Sequence, residues 1–303
     1  MTTPHIHSET KLLRPAELET LDLPPERPQL VVRSFGLTDK GRHRPNNEDQ
    51  FLVATLVKAL QIQQTSLPQS TSRRSSDRSY LFVVADGMGG AAGGEEASAL
   101  AVDSVERYVL DALKWFAHCP GRDDDKVLAD FRRALGLAHD RVRAETAYHP
   151  ELSGMGTTLT LAYSLNDELF LAHVGDSRCY LHREGVLYRL TQDHTLVEEM
   201  VRNGAIRPEE AANHRWRHVI TSTVGGNSPD VRVDVHRLHL QAGDQVLLCS
   251  DGLTEMVPDE AIALILQAAA EPEEACRSLV SQANEAGGKD NITVVLARYE
   301  RAP

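Results

Sequence analysis

Four aspartates sit far apart in this chain, each where a strand should end or a turn begin: Asp49 in Arg44-Pro45-Asn46-Asn47-Glu48-Asp49, Asp86 in Asp86-Gly87-Met88-Gly89-Gly90, Asp251 in Ser250-Asp251-Gly252 and Asp290 in Asp290-Asn291. Three of them abut an apolar run of strand character. Carboxylates at the tips of several strands can converge on one point. Gathered there without cations they repel one another, so a hard divalent metal is the natural reason for such a set. Arg44 adds a planar guanidinium whose fork matches two phosphate oxygens. Glu48 adds another metal-ligating carboxylate. The chemistry this implies is metal-dependent hydrolysis of a phosphate ester.

Each motif also has a bland reading. Ser250-Asp251-Gly252 and Asp290-Asn291 would each pass as a turn or helix cap, and Arg44 to Asp49 as solvated surface. The glycines of 87–90 suit a tight turn. Gly87-x-Gly89-x-x-Ala92 also loosely matches a dinucleotide fingerprint, but Asp86, Glu95 and Glu96 would repel a pyrophosphate. Two long helices follow, so no βαβ unit forms. Under the metal reading the glycines let the backbone approach an ion, and the Gly87 carbonyl becomes a ligand.

The elements that must position these groups follow from periodicity. The run 80–85 is continuously apolar and reads as a buried strand. Residues 51–57, 157–163, 168–174, 231–240, 245–249 and 292–298 also read as strands, and 179–182 with 186–190 as a hairpin. Apolar residues recur every three or four positions from Ala97 to Phe116, predicting a long helix, with a second over 126–147. Two more helices are expected, one from Pro258 and one over 272–285. Strands joined by short turns, with helix pairs inserted twice, imply antiparallel sheets covered by helices, an α+β arrangement. Residues 1–29 read as a flexible arm, 60–79 as a polar loop and 191–226 as a polar excursion from the sheets. The domain itself spans 30–300.

The chain has 303 residues and a net charge of −12. That charge argues against nucleic-acid binding, which needs clustered Lys and Arg. No run is long enough to cross a membrane, and residues 1–20 lack the apolar core of a signal peptide. The four cysteines form no CxxC pair. Cys179 and Cys249, in apolar strand-like runs, read as buried free thiols, which fits a reducing cytoplasm. None begins a Cys-x5-Arg loop, and there is no Gly-x-Ser-x-Gly elbow. His214 and His218, four apart, have the spacing of a zinc pair on a helix but lack the Glu of a metalloprotease motif, so they read as solvated surface.

Six motifs in order carry a resemblance. Glu48-Asp49, Asp86-Gly87-Met88-Gly89-Gly90, Gly154-Met155-Gly156-Thr157-Thr158-Leu159, Val174-Gly175-Asp176-Ser177-Arg178, Ser250-Asp251-Gly252-Leu253 and Asp290-Asn291-Ile292-Thr293 resemble those of the type 2C metal-dependent protein serine/threonine phosphatases, in their bacterial branch. The match covers residues 31–299. It implies a four-layer α-β-β-α sandwich, two central antiparallel sheets flanked by helix pairs, with a binuclear Mn²⁺ or Mg²⁺ site at one end. On that resemblance Asp86 bridges the metals. Asp251 and Asp290 complete one set of ligands; Glu48 and the Gly87 carbonyl serve the other. Asp49 orients the water that bridges the metals, and Arg44 grips the phosphate. The metals, roughly 3.5–4 Å apart, activate that water for in-line attack on phosphoserine or phosphothreonine.

Three positions depart from the pattern. Glu151 stands where bacterial relatives carry an Asp for a third metal, so a third cation would use a longer carboxylate. The segment 220–225 lacks an arginine common before its glycine. Met88 replaces a His of eukaryotic relatives. The resemblance further implies phosphoprotein partners, a Ser/Thr kinase among them, and a monomer. A catalytically silent binding scaffold and a regulator dedicated to one phosphoprotein are the rival functions; the intact acid set argues against the first.

Overall fold

A strand such as Leu81-Phe82-Val83-Val84-Ala85 must hide both faces, and the fold provides a neighbour for each. The computed structural model describes residues 11–12, 30–61, 72–89, 93–111, 124–211 and 214–301. Among them one six-stranded sheet runs in the order β1 (Lys11–Leu12), β9 (Val186–Arg189), β8 (Arg178–Arg183), β12 (Gln245–Cys249), β13 (Ile292–Arg301) and β2 (Leu30–Asp39). The other holds β10 (Val224–Gly225), β5 (Gly156–Thr157), β4 (Ser72–Met88), β6 (Leu159–Leu165), β7 (Glu168–Val174) and β11 (Asp234–His239), with β3 (Asp49–Gln61) paired to β4. These pairings are antiparallel except the two-residue β1–β9 contact.

Alternation along each strand sorts side chains into three apolar layers. Phe82 and Val84 of β4 meet Val246, Leu248, Val295 and Tyr299 between the sheets. Leu81, Val83 and Ala85 turn the other way, towards α1 (Gly93–Asp111) and α2 (Asp124–Tyr148). Phe131, Tyr163 and Phe170 cluster there with ring centroids 5.4–6.5 Å apart. Leu247, Val294 and Leu296 face α6 (Asp259–Ala268) and α7 (Pro272–Glu285) through Ile262, Leu266 and Leu279. The result is the expected α-β-β-α order.

Turn chemistry agrees with the strand ends. Glu184 (φ 51°) and Gly185 (φ 80°) give the β8–β9 hairpin two consecutive left-handed residues, which matches the right-handed twist of its strands. The polar excursion contains α3 (Leu196–Arg202), α4 (Pro208–Ala211) and the short β10. Thr195 caps α3 by accepting from the Glu198 amide.

Two expectations change. The polar loop of 60–79 is strand at 60–61 and 72–79, where β3 and β4 continue as a ribbon. An antiparallel ladder is made by backbone groups, so a Ser- and Arg-rich stretch can continue it without an apolar partner. Residues 62–71 lie outside the described residues, as do the arm apart from Lys11–Leu12, the turn at 90–92, Cys119 and the helix expected beyond residue 111. His214 and His218 are not on a helix: 214–219 is a chain of turns closed by the His214 carbonyl accepting from the Arg217 amide and Trp216 from Val219.

Candidate active site

The strand pairing explains why distant acids meet. Asp49 opens β3 and lies directly opposite Asp86 near the end of β4. In the other sheet the end of β12 neighbours the start of β13, with Cys249 opposite Val294. Asp251 and Asp290 therefore leave that sheet side by side. Both pairs emerge at one end of the sandwich, and a cavity of about 460 Å³ opens between them. Its wall includes Arg44, Glu48, Asp86, Gly87, Asp251 and Asp290.

Close backbone packing holds this end together. A Cβ on Gly87 would lie 2.1 Å from the Gly94 carbonyl oxygen and 2.6 Å from that of Glu48, so only glycine lets α1 start against the end of β4. A Cβ on Gly252 would lie 1.9 Å from the Asn291 carbonyl oxygen, which locks the β12 and β13 tips to each other. Asn291 fastens the incoming loop. Its Nδ2 donates to the Lys40 and Asn46 carbonyls, each at 2.9 Å, and its Oδ1 accepts from the Glu48 amide at 2.8 Å. Asp86 is held through its backbone: its amide donates to Thr158 Oγ1, and its carbonyl accepts from Thr157 Oγ1, both at 2.9 Å.

The electrostatics are those of anions crowded without enough water. Burial, then the charges of Asp49, Asp251, Asp176 and Asp290, push the Asp86 carboxyl far above its usual range. Burial, then Asp176 and Asp290, does the same for Asp251. Burial raises Asp49 to about 6 against the pull of hydroxyl donors from Thr293 and Ser250. It raises Asp176 to about 7, with Asp193 adding repulsion. Glu48 is raised by burial and partly restored by Arg44.

Arg44 is at the cavity, 53% exposed, with Nη2 donating to Asp290 Oδ2 at 2.6 Å. Asp49 is not part of the cavity wall. It lies behind it, 3% exposed, with Oδ2 accepting from Ser250 Oγ and Thr293 Oγ1, each at 2.7 Å, and Oδ1 without a partner. Replacing Ser250 by Ala removes one of these donors and also the acceptor of the Thr293 amide. We expect a loss of about 1–3 kcal/mol in chemical denaturation, because the carboxylate stays buried.

The structure does not bring Glu151 to the cavity. It lies in the 3₁₀ turn Pro150–Leu152, 70% exposed, and pairs with His149 at 3.2 Å. Asp176 lines the wall instead, and so do His218, Ile220 and Glu255. These four were absent from the residues assigned a role. Asp176 has a signal, an Asp two residues beyond an apolar strand, as at Cys249-Ser250-Asp251. The other three are neighbours only in space.

The residues present fit divalent cations. Six carboxylates line one cavity, all hard oxygen donors of the kind Mn²⁺ and Mg²⁺ take. The buried Asp251 Oδ1 has no hydrogen-bond partner. A group so desolvated and unpaired is costly unless a cation serves it.

The Protein phosphatase 2C family profile matches residues 68–291. The chain belongs to the protein phosphatase 2C family. It is 36% identical over 268 residues to the serine/threonine protein phosphatase PstP of Mycobacterium tuberculosis, covering 88% of this chain but 45% of the relative, so it spans about half the length of that protein. It is 34% identical over 263 residues to the serine/threonine phosphatase Stp of Listeria monocytogenes, covering 87% of this chain and 94% of that one. Among solved structures, the M. tuberculosis PstP/Ppp phosphatase superposes with a TM-score of 0.72 at 36% identity, covering 89% of this chain and 99% of that one. The PstP catalytic domain in complex with two manganese ions gives 0.68 at 35% identity, with the same coverage. The bacterial type 2C branch and its sandwich, expected from the ordered motifs, are those of these relatives.

Proposed function

We propose that this chain is a protein phosphatase that hydrolyses phosphoserine and phosphothreonine in proteins with two divalent cations, Mn²⁺ or Mg²⁺. One observation carries the reading: acids from strand tips of both sheets surround a single cavity with one arginine among them. Asp86 sits centrally and would bridge the cations. Asp251 and Asp290 would complete one set of ligands, and Glu48 with the Gly87 carbonyl the other. Bound there, the cations supply Lewis acidity, offsetting phosphoryl charge and acidifying the attacking water.

The chain's own residues do the rest. Arg44 leaves Asp290 and turns its fork to the phosphate, where it stabilises the charge that builds during transfer. Releasing Asp290 at the same time frees that carboxylate as a ligand, so one rotation serves both roles. Asp49, with one oxygen saturated by Ser250 and Thr293, keeps the other to orient water. Met88 on the wall is apolar, so it moves no proton to the leaving alkoxide.

The relatives' names support protein substrates, and we assign the chain to reversal of a Ser/Thr kinase. Cys179, Cys249 and Cys276 are buried free thiols, which fits action in a reducing cytoplasm. No helix among the described residues is long and apolar enough to cross a membrane. We propose that the enzyme works as a monomer. The deciding assay is hydrolysis of a phosphothreonine peptide and of p-nitrophenyl phosphate with Mn²⁺, with Mg²⁺ and with EDTA. Phosphate release that EDTA abolishes is expected; no release with either metal from folded protein would turn the reading to a binding scaffold.

A further inference from the structure

We propose that His218, Asp251 and Glu255 form a further cation site on the cavity wall, sharing Asp251 with the proposed catalytic set, one that takes a borderline transition-metal ion of the zinc class. One ligand atom from each residue lies within 4.8 Å of the other two. His218 Nδ1 is 2.8 Å from Glu255 Oε1. Ligands sharing a tetrahedral zinc lie roughly 3.3–3.6 Å apart, given bonds of about 2.0–2.2 Å. Small side-chain rotations therefore suffice.

The three residues are delivered by backbone that does not depend on the ion. Asp251 opens the short helix α5 (Asp251–Thr254), and Glu255 caps its end in the helical region. Four residues apart, they share one face. His218 comes from the polar excursion. That segment is pinned by the Leu196 amide donating to the Val219 carbonyl at 2.8 Å, the Thr221 amide to the His194 carbonyl at 2.7 Å and the Thr195–Ile220 bridge.

A histidine changes the selectivity. Glu48, Asp86, Asp176 and Asp290 offer only oxygen, which suits Mn²⁺ and Mg²⁺. An imidazole nitrogen beside two carboxylates is a set that zinc prefers. The buried Asp251 Oδ1 has no hydrogen-bond partner and is open to a cation on this side too. Three protein ligands leave one tetrahedral position open to the cavity. Asp251 would be shared with the cations of the proposed reaction, so zinc at this site competes with them for that carboxylate. An ion held here would also tie the polar excursion to α5.

The test is zinc titration of the full chain by calorimetry after metal removal, in the wild type, His218→Gln and Glu255→Gln, with Mn²⁺ titrated in parallel. Cobalt(II) replaces zinc as a spectroscopic probe. We expect His218→Gln to bind zinc at least tenfold more weakly while taking up Mn²⁺ with wild-type stoichiometry. Glu255→Gln should weaken zinc in the same sense. Wild-type Co²⁺ should give a tetrahedral visible spectrum that His218→Gln lacks. Equal zinc affinity in wild type and both variants, or a Co²⁺ spectrum unchanged by His218→Gln, would overturn the site. These readouts do not involve phosphate release, so they stand apart from the fate of the phosphatase reading.

Discussion

Asp86→Asn should lower turnover of a phosphothreonine peptide by roughly 10³-fold, the scale on which losing one group that stabilises transition-state charge is felt. It should also weaken Mn²⁺ binding. The substitution is nearly isosteric. The contacts that hold this position are made by the backbone, to Thr157 and Thr158, and they survive it. Only the charge leaves. That charge is unwelcome in the metal-free protein, where burial disfavours it and Asp49, Asp251, Asp176 and Asp290 repel it. The variant without metal should therefore melt higher than metal-free wild type at neutral pH, while gaining less from added Mn²⁺. Lost activity with raised apo stability separates a cation-binding carboxylate from a merely structural one. An inactive variant with a lowered melting temperature would point to a damaged fold instead.

The second large effect is on stability against pH without metal. Asp49 and Asp176 have folded-state values raised to about 6 and about 7 from the ordinary 3.8, and burial with neighbouring acids raises Asp86 and Asp251 in the same direction. Between the unfolded and folded values the native state holds more protons than the unfolded chain, so stability falls as pH rises. The protonated acids contribute fully below about 4 and lose that contribution progressively as pH climbs through 6 and 7. Metal-stripped protein should melt higher at pH 5 than at pH 7.5. Mn²⁺ at a hundred times its Kd adds about 2.7 kcal/mol per site, or roughly 5–10 °C for a domain of this size, and should reverse the order by making the ionised form the favoured one. Melting curves with EDTA at both pH values, repeated with Mn²⁺, check it. A metal-free melting temperature that rises from pH 5 to 7.5 would contradict the crowded-anion account.

The acids that anchor the site were legible because each borders an apolar run. Asp86 closes the 80–85 strand, Asp251 follows 245–249 and Asp290 precedes 292–298, so hydrophobic pattern and chemistry point to the same places. Residues whose importance lies in pairing across the sheets were not legible. Ser250 and Thr293 look like ordinary strand-end hydroxyls until the β12–β13 register sets both on Asp49. Asn291 reads as a turn residue, yet it gathers three backbone groups from residues 40–48. Glu151 shows the opposite failure. Its place relative to the Gly-Met-Gly-Thr-Thr motif suggested a ligand, but the chain turns it to solvent beside His149. The 60–79 segment failed because composition speaks for side chains, and an extended hairpin ladder is a backbone matter.

The strand order has a consequence for how the chain matures on the ribosome. β2, near the start of the domain, pairs only with β13 among the described residues, from Leu30 opposite Arg301 to Asp39 opposite Ile292. β13 is also the strand that brings Asp290 and Asn291 to the loop over 40–48. β2 thus waits for β13, and the nascent chain carries Glu48 and Asp86 for most of the domain's synthesis without the residues that join them. A partly synthesised domain would hold an unfinished set of acids, and the proposed site would be complete only once β13 slots between β12 and β2.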